Sequence, residues 1–242
     1  MTPARRLAPF IALLAAGAFA LAGCAGATPP AASGSPTASD AAPLQVEAGW
    51  LDGGRQIALV TWGSSTCVPT AADVAVQADG AIAVTLDDGP ADRVCTADFA
   101  PRATLVGVPD GVDPAAGIDL VVSFAEGGRG ETALPPLAGA PGGDAVAYAP
   151  SAGWVGDDLI AILSWGSSSC APVVKDVAAP TPTEVAVTFA DQPADQPCTM
   201  DMASRVALAS VEGLGVERTG SSVVLSGGDA QFETPVTVSI LG

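Results

Sequence analysis

The sequence predicts an all-β protein: two tandem small β-sandwich or barrel-like modules, each closed by one disulfide, behind a signal peptide and a disordered tether. Three observations carry that prediction. Trp62-Gly63-Ser64-Ser65-Thr66-Cys67 returns as Trp165-Gly166-Ser167-Ser168-Ser169-Cys170, and from there the halves align without a gap at an offset of 103. Of the 62 positions from Trp62 to Ser123, 26 are identical in the second copy. Beyond Cys24 there are four cysteines, and both halves space their pair by 28 residues. Short apolar and β-branched runs between Gly, Pro and Asp turn signals complete the pattern of a sandwich or barrel.

Residues 1–23 read as a secretory signal. Arg5 and Arg6 give the positive start, Leu7 to Leu21 the apolar run, and small residues precede Cys24. Leu21-Ala22-Gly23-Cys24 resembles the lipobox of bacterial lipoproteins. The Ala/Gly/Val/Asp-rich, lysine-poor composition resembles those of high-GC Gram-positive bacteria, and the duplicated module is similar to uncharacterised lipoproteins of that kind, from which no activity carries over. The resemblance implies cleavage before Cys24, a diacylglyceryl group with palmitate-type chains on its thiol, and residence on the outer face of the cell membrane. The lipid bilayer is then a partner through Cys24. Acyl burial contributes about 0.8 kcal/mol per CH₂, so two chains anchor firmly. Residues 24–44 form the tether, rich in Ala, Pro, Ser, Thr and Gly, with Asp40 its only charge. Such a segment cannot bury a core. The nineteen residues from Ala25 to Pro43 reach about 25 Å as a coil and roughly 60 Å as polyproline II.

The modules are placed at 45–138 and 147–242, with a Gly/Pro-rich linker at 139–146. Four cysteines allow three pairings. The duplication favours Cys67–Cys95 and Cys170–Cys198, because each half then closes with the same staple. Loop closure gives each roughly 3.5 kcal/mol, and such bridges persist outside the cytoplasm. Strands are expected at Gln56 to Trp62, Val74 to Gln77, Ala81 to Leu86, Ala103 to Val108 and Asp119 to Phe124. Asp79-Gly80 supplies a two-residue hairpin signal. The second copy repeats them at Leu159 to Trp165, Glu184 to Phe189, Arg205 to Val211 and Ser222 to Leu225, and adds Thr237 to Leu241.

Composition excludes several functions. The chain carries 9 basic and 26 acidic residues; without Arg5 and Arg6 the balance is 7 − 26 = −19. Such a surface repels nucleic acid and anionic headgroups. Histidine is absent and Lys175 is the one lysine, which removes Ser-His-Asp and Cys-His catalysis and most zinc sites. The expectation is a non-enzymatic binding or accessory module of the cell envelope, without cofactor or metal, meeting an envelope protein or a wall polymer. The alternative is a carboxylate-dependent glycan hydrolase of the cell wall, which needs twin carboxylates roughly 5 to 10 Å apart in a cleft.

Trp62 and Trp165, beside a bridged cysteine, are read as packing residues. Trp50 and Trp154 follow glycine in turn-rich stretches and are the candidate binding residues of the surface. Ser64, Ser65, Ser167 and Ser168 lack a base and turn the chain. Asp98 with Arg102, and Asp201 with Arg205, are read as structural ion pairs. Asp87 to Asp92 resembles half a calcium loop but fits no EF-hand spacing, so no metal is assigned.

Overall fold

The computed structural model describes residues 43–125, 127–139, 147–228 and 230–242. The expected signal peptide, Cys24 and nearly all of the expected tether and linker lie outside them. The first module contains β1 (Val46–Leu51), β2 (Gln56–Gly63), β3 (Thr70–Val76), β4 (Ile82–Asp87), β5 (Ala100–Gly107), β6 (Ile118–Phe124) and β7 (Arg129–Leu134). The second repeats them as β8 (Ser151–Val155), β9 (Leu159–Gly166), β10 (Val174–Thr181), β11 (Glu184–Phe189), β12 (Ala203–Ser210), β13 (Ser222–Gly227) and β14 (Val236–Leu241). The protein is all-β, and Cys67–Cys95 and Cys170–Cys198 are bridged, each with Cα atoms 5.6 Å apart.

In the first module a three-stranded sheet, β1-β2-β5, faces a four-stranded one, β3-β4-β6-β7. β4 and β6 are parallel neighbours, and the other pairs are antiparallel. Alternation along the strands aims Ile82, Val84 and Leu86 of β4, with Leu120 and Val122 of β6, at Trp50, Ile57, Leu59 and Val106 of the opposite sheet. The second module has the same strand order and the same parallel pair, β11 with β13. There, Ile240 and Leu241 of β14 also pair parallel to Ala152 and Gly153 of β8. That joins its seven strands into one sheet. The first copy is thus a sandwich, and the second is closed along one side as a barrel is.

β2 reads Ile57-Ala58-Leu59-Val60 and β9 Ile160-Ala161-Ile162-Leu163, with no polar alternation. A strand apolar on both faces must be buried on both. Ile57 and Leu59 enter their own core, while Ala58 and Val60 face the other way and meet Ala161, Leu163 and Val155, with Leu51. The β1-β2-β5 sheet and the β8-β9-β12 portion of the seven-stranded sheet therefore stack back to back. Burying the four large side chains Leu51, Val60, Val155 and Leu163 contributes roughly 6–12 kcal/mol, and the modules form one compact unit.

At this seam β1 and β8 run antiparallel beside each other. Glu47 abuts Gly156, Gly49 lies against the Trp154 carbonyl, Gly153 against the Trp50 carbonyl, and Asp52 N–H donates to Ser151 Oγ at 2.8 Å. The copies are thus related by an approximate two-fold axis across these strands, and their cysteine loops fall at opposite ends of the unit. A methyl on Gly49 would stand 2.7 Å from Val155 Cγ2 and closer to the Trp154 oxygen. The Gly-Trp repeat marks strands that approach too closely for a side chain.

Several expectations need correction. Trp50 and Trp154 are not on the surface: they are 1% and 3% exposed. Their stretches are β1 and β8 rather than turns, and strand alternation points both indoles into the cores. Each indole N–H is satisfied by a backbone carbonyl, Pro135 O at 2.8 Å and Arg218 O at 3.2 Å. The Asp79-Gly80 turn is wider than two residues, since Gln77 N–H donates to Ala81 O at 2.8 Å. β7 and β10 fall outside the expected strands altogether, and β3 is covered only in part, because these strands are largely exposed and lack a clean alternation. Leu137, beside the predicted linker, is buried in the first core. Trp62 and Trp165 do pack, half-buried, but in the seam between modules; Tyr148 meets Trp165 edge-on with centroids 5.5 Å apart.

Candidate functional site

The repeated motif builds one corner twice. Cys67 N–H donates to Ser64 O at 3.1 Å, which closes a tight turn after β2. The disulfide then brings Cys95-Thr96-Ala97-Asp98 over that turn. Ser65 N–H donates to both Asp98 oxygens at 3.2 and 3.3 Å, and Ser64 Oγ meets Thr96 Oγ1 at 2.8 Å. Thr96 N–H donates to Thr66 Oγ1 at 3.1 Å, and its hydroxyl donates to Asp98. The second copy matches: Ser168 N–H to Asp201 at 3.0 Å, Ser167 with Thr199 at 2.8 Å, and the Thr199 hydroxyl to Asp201. Hydrogen bonds from Thr96 first, then from the Ser65 hydroxyl and N–H, hold the Asp98 carboxyl down at about 2. Thr199 and Ser168 lower Asp201 likewise. These carboxylates stay ionised near neutrality, so neither has a proton to give as a general acid and each is only a weak base. The serines brace a loop.

The expected ion pairs Asp98–Arg102 and Asp201–Arg205 do not form. Residues four apart face each other on a helix, whereas here Asp98 sits in the loop and Arg102 points inward from the extended β5. Arg102 is 9% exposed. Its Nη1 donates to Cys67 O at 2.7 Å and lies 3.7 Å from Asp88 Oδ1. The guanidinium lies against Gly63, where a Cβ would come within 2.7 Å of Cζ. The glycine after Trp62 is therefore the seat of the arginine. Arg205 lies on Gly166 in the same way and donates to Cys170 O at 2.9 Å.

Beside this corner in the first module lies a cleft of about 320 Å³, lined by Ser64, Asp87 to Ala91, Arg93, Arg102, Phe124, Ala125 and the disulfide. Arg93 reaches back across it, with Nη2 donating to Thr66 O at 3.0 Å. Asp87 caps Gly89 N–H at 2.8 Å. Behind the cleft, Thr61 and Arg102 face each other across β2 and β5, and Thr61 Oγ1 and Arg102 Nε are buried without a hydrogen-bond partner. On the same loop Val94 and Phe99 are 92% and 76% exposed, and Met200 and Met202 are exposed on the second copy's loop.

The copies differ at this cleft. The loop between β6 and β7 has four residues, 125–128, whereas that between β13 and β14 has eight, 228–235. The longer loop contains a 3₁₀ turn, Ala230–Phe232, whose Gln231 donates to Trp165 O at 2.9 Å beside Arg205 Nη2 at 3.0 Å. Phe232 of that turn is buried and stacks on Phe189 at 5.3 Å. The sequence reading missed Arg93 and Phe124 as site residues. The unequal length of these two loops was the visible signal.

A second crevice, about 190 Å³, lies at the seam and is lined by Glu47, Trp50, Thr132, Trp154, Asp157 and Arg218, among others. Burial first, then Asp157 and Asp158, raise the Glu47 carboxyl. Arg218 donates to Gly156 O and stacks over Trp154 at 5.0 Å. Among the described residues, no group of three or more His, Cys, Asp or Glu side chains is placed to hold a metal. Compared with known proteins, the chain matches no family model, no curated protein and no solved structure.

Proposed function

We propose that this chain is an extracytoplasmic lipoprotein, anchored through Cys24 to the outer face of the cell membrane, and that its two modules bind a component of the cell envelope without catalysing a reaction. The observation that carries the binding reading is the pair of braced loops. Each holds a large apolar side chain in water at the aligned positions Phe99 and Met202. Burial of these on a partner would release unfavourable contact with water at little entropic cost, because disulfide and hydroxyl network already fix the loops. The lipobox-like Leu21-Ala22-Gly23-Cys24 supports the anchor, and the two disulfides are consistent with an oxidising compartment. The test is cell fractionation of Cys24→Ser against wild type. Wild type should stay with the membrane and the variant should move to the soluble fraction; identical distributions would remove the anchor.

One observation favours a second reading, a carboxylate-dependent hydrolase of wall glycans. Glu47 has the raised carboxyl that a general acid needs, with Asp157 nearby. Its crevice of about 190 Å³ is smaller than the roughly 300 Å³ at which ligand sites begin. Release of reducing ends from wall glycan by wild type, abolished in Glu47→Gln, would establish this reading over the first.

A further inference from the structure

We propose that the cleft of the first module binds a zwitterionic ligand of amino-acid or short-peptide type, its carboxylate held by Arg102 and Arg93 and its ammonium by Asp87 and Asp88. This deepens the reading of the chain as a binding protein and rests on it.

The chemistry of the lining sets the ligand class. Two of the seven basic residues of the processed chain stand in this one cleft, opposed by two adjacent carboxylates. The lining therefore sums to zero charge in a protein that is otherwise strongly acidic. A simple anion would meet Asp87 and Asp88, and a simple cation would meet both arginines. A molecule carrying both charges satisfies both pairs. Arg102 is the anchor. It is nine-tenths buried, and one guanidinium nitrogen is spent on Cys67 O. Its Nε and Thr61 Oγ1, on the neighbouring strand, are buried without a hydrogen-bond partner, and Ser164 Oγ at the position aligned with Thr61 is too, so this feature belongs to both corners and the ligand class rests on the charges of the lining. A guanidinium offers a planar fork that matches a carboxylate. Phe124 and Ala91 add an apolar wall for a side chain. The volume of about 320 Å³ suits one or two residues at the lower end of the roughly 300–1,000 Å³ typical of ligand pockets.

The second module supplies an internal comparison. Its arginine sits on the same glycine, but its longer loop sends Gln231 to the carbonyl of Trp165, where Arg205 also donates. In the first module Phe124 occupies the position aligned with Gly227, and the loop stops short. The duplication has one corner engaged by its own chain and one open to a ligand.

The experiment is an NMR titration of the mature chain, residues 24–242 with Cys24→Ser, using alanyl-alanine, its C-terminal amide and its N-acetyl form. Saturating shifts should appear at Ser64, Gly89, Arg93 and Phe124 with alanyl-alanine, and no saturating shifts at Ser167, Gln192 or Gln231. Each single-charge derivative should bind about tenfold or more weakly, the loss of roughly one charged contact. Arg93→Gln should weaken binding about tenfold while lowering the melting temperature by no more than about 2–4 °C, the worth of its exposed hydrogen bond to Thr66 O; Arg102→Lys should weaken it further. If Arg102→Lys fails to fold, Arg93→Gln and the two derivatives still decide. Equal affinity for all three probes, the absence of saturating shifts, or equal response of both modules would overturn the proposal. The outcome is separable from the anchor: a chain that binds but does not stay with the membrane keeps this site, and an anchored chain that binds no dipeptide loses it.

Discussion

Gly153→Ala should separate the two modules where they touch most closely. Its new methyl would stand 3.0 Å from the Trp50 carbonyl carbon and nearer still to the oxygen. The obstacle is the backbone of β1, which cannot rotate away as a side chain would. Overpacking typically costs 1–3 kcal/mol, and a rigid obstacle points to about 3. Replacing glycine in a strand returns about 0.5–1 kcal/mol, which leaves a net loss of about 2 kcal/mol. For a chain of this size that lowers the melting temperature by about 4–8 °C. The assay is calorimetric unfolding of residues 24–242 beside Gly107→Ala, where nothing lies within 4 Å of the added carbon. The control should remain within about 0.5 kcal/mol of wild type. Gly49→Ala should behave like Gly153→Ala, and the double variant should lose less than the sum, because the first methyl opens the seam for the second. A Gly153→Ala protein that melts with wild type would refute the back-to-back packing.

Three further outcomes follow from the electrostatics and the staples. Glu47 has a folded pKa above its unfolded value, so its carboxylate destabilises the fold above that pKa and the effect vanishes as pH falls below the unfolded value. Glu47→Gln should therefore melt higher than wild type at about pH 8 and equally at about pH 4. Asp98 has the opposite sign: its folded pKa near 2 contributes stability above the unfolded pKa, lost as pH falls toward the folded one. Asp98→Asn should melt below wild type at about pH 6, with the gap closing on acidification toward about pH 2 in a melting series. Removing one bridge as Cys170→Ala with Cys198→Ala should cost roughly 3.5 kcal/mol in denaturant unfolding, with the second module unfolding ahead of the first.

The repeat made the modules, their bridges and most inner strands legible, because β4 and β11 keep a period-two pattern that only a half-buried strand explains. The seam was legible in principle: β2 and β9 are apolar on both faces, and that excess needed a second partner. It went unread because Gly49-Trp50 and Gly153-Trp154 look like turns, whereas their glycines mark strands pressed together. Arg102 misled for a related reason. Four-residue spacing suggests a pair with Asp98 only if the chain is helical, and an extended strand turned the arginine inward onto Gly63. The parallel β4–β6 neighbours, and the cleft left by the short 125–128 loop, arise from contacts between distant segments and leave no local periodicity.

The N-terminal peptide of the membrane-extracted protein tests the proposed anchor most directly. Mass spectrometry should find a chain that begins at Cys24 and carries a diacylglyceryl group on its thiol. An N-terminus elsewhere, with Cys24 unmodified or removed, would contradict the lipoprotein reading directly.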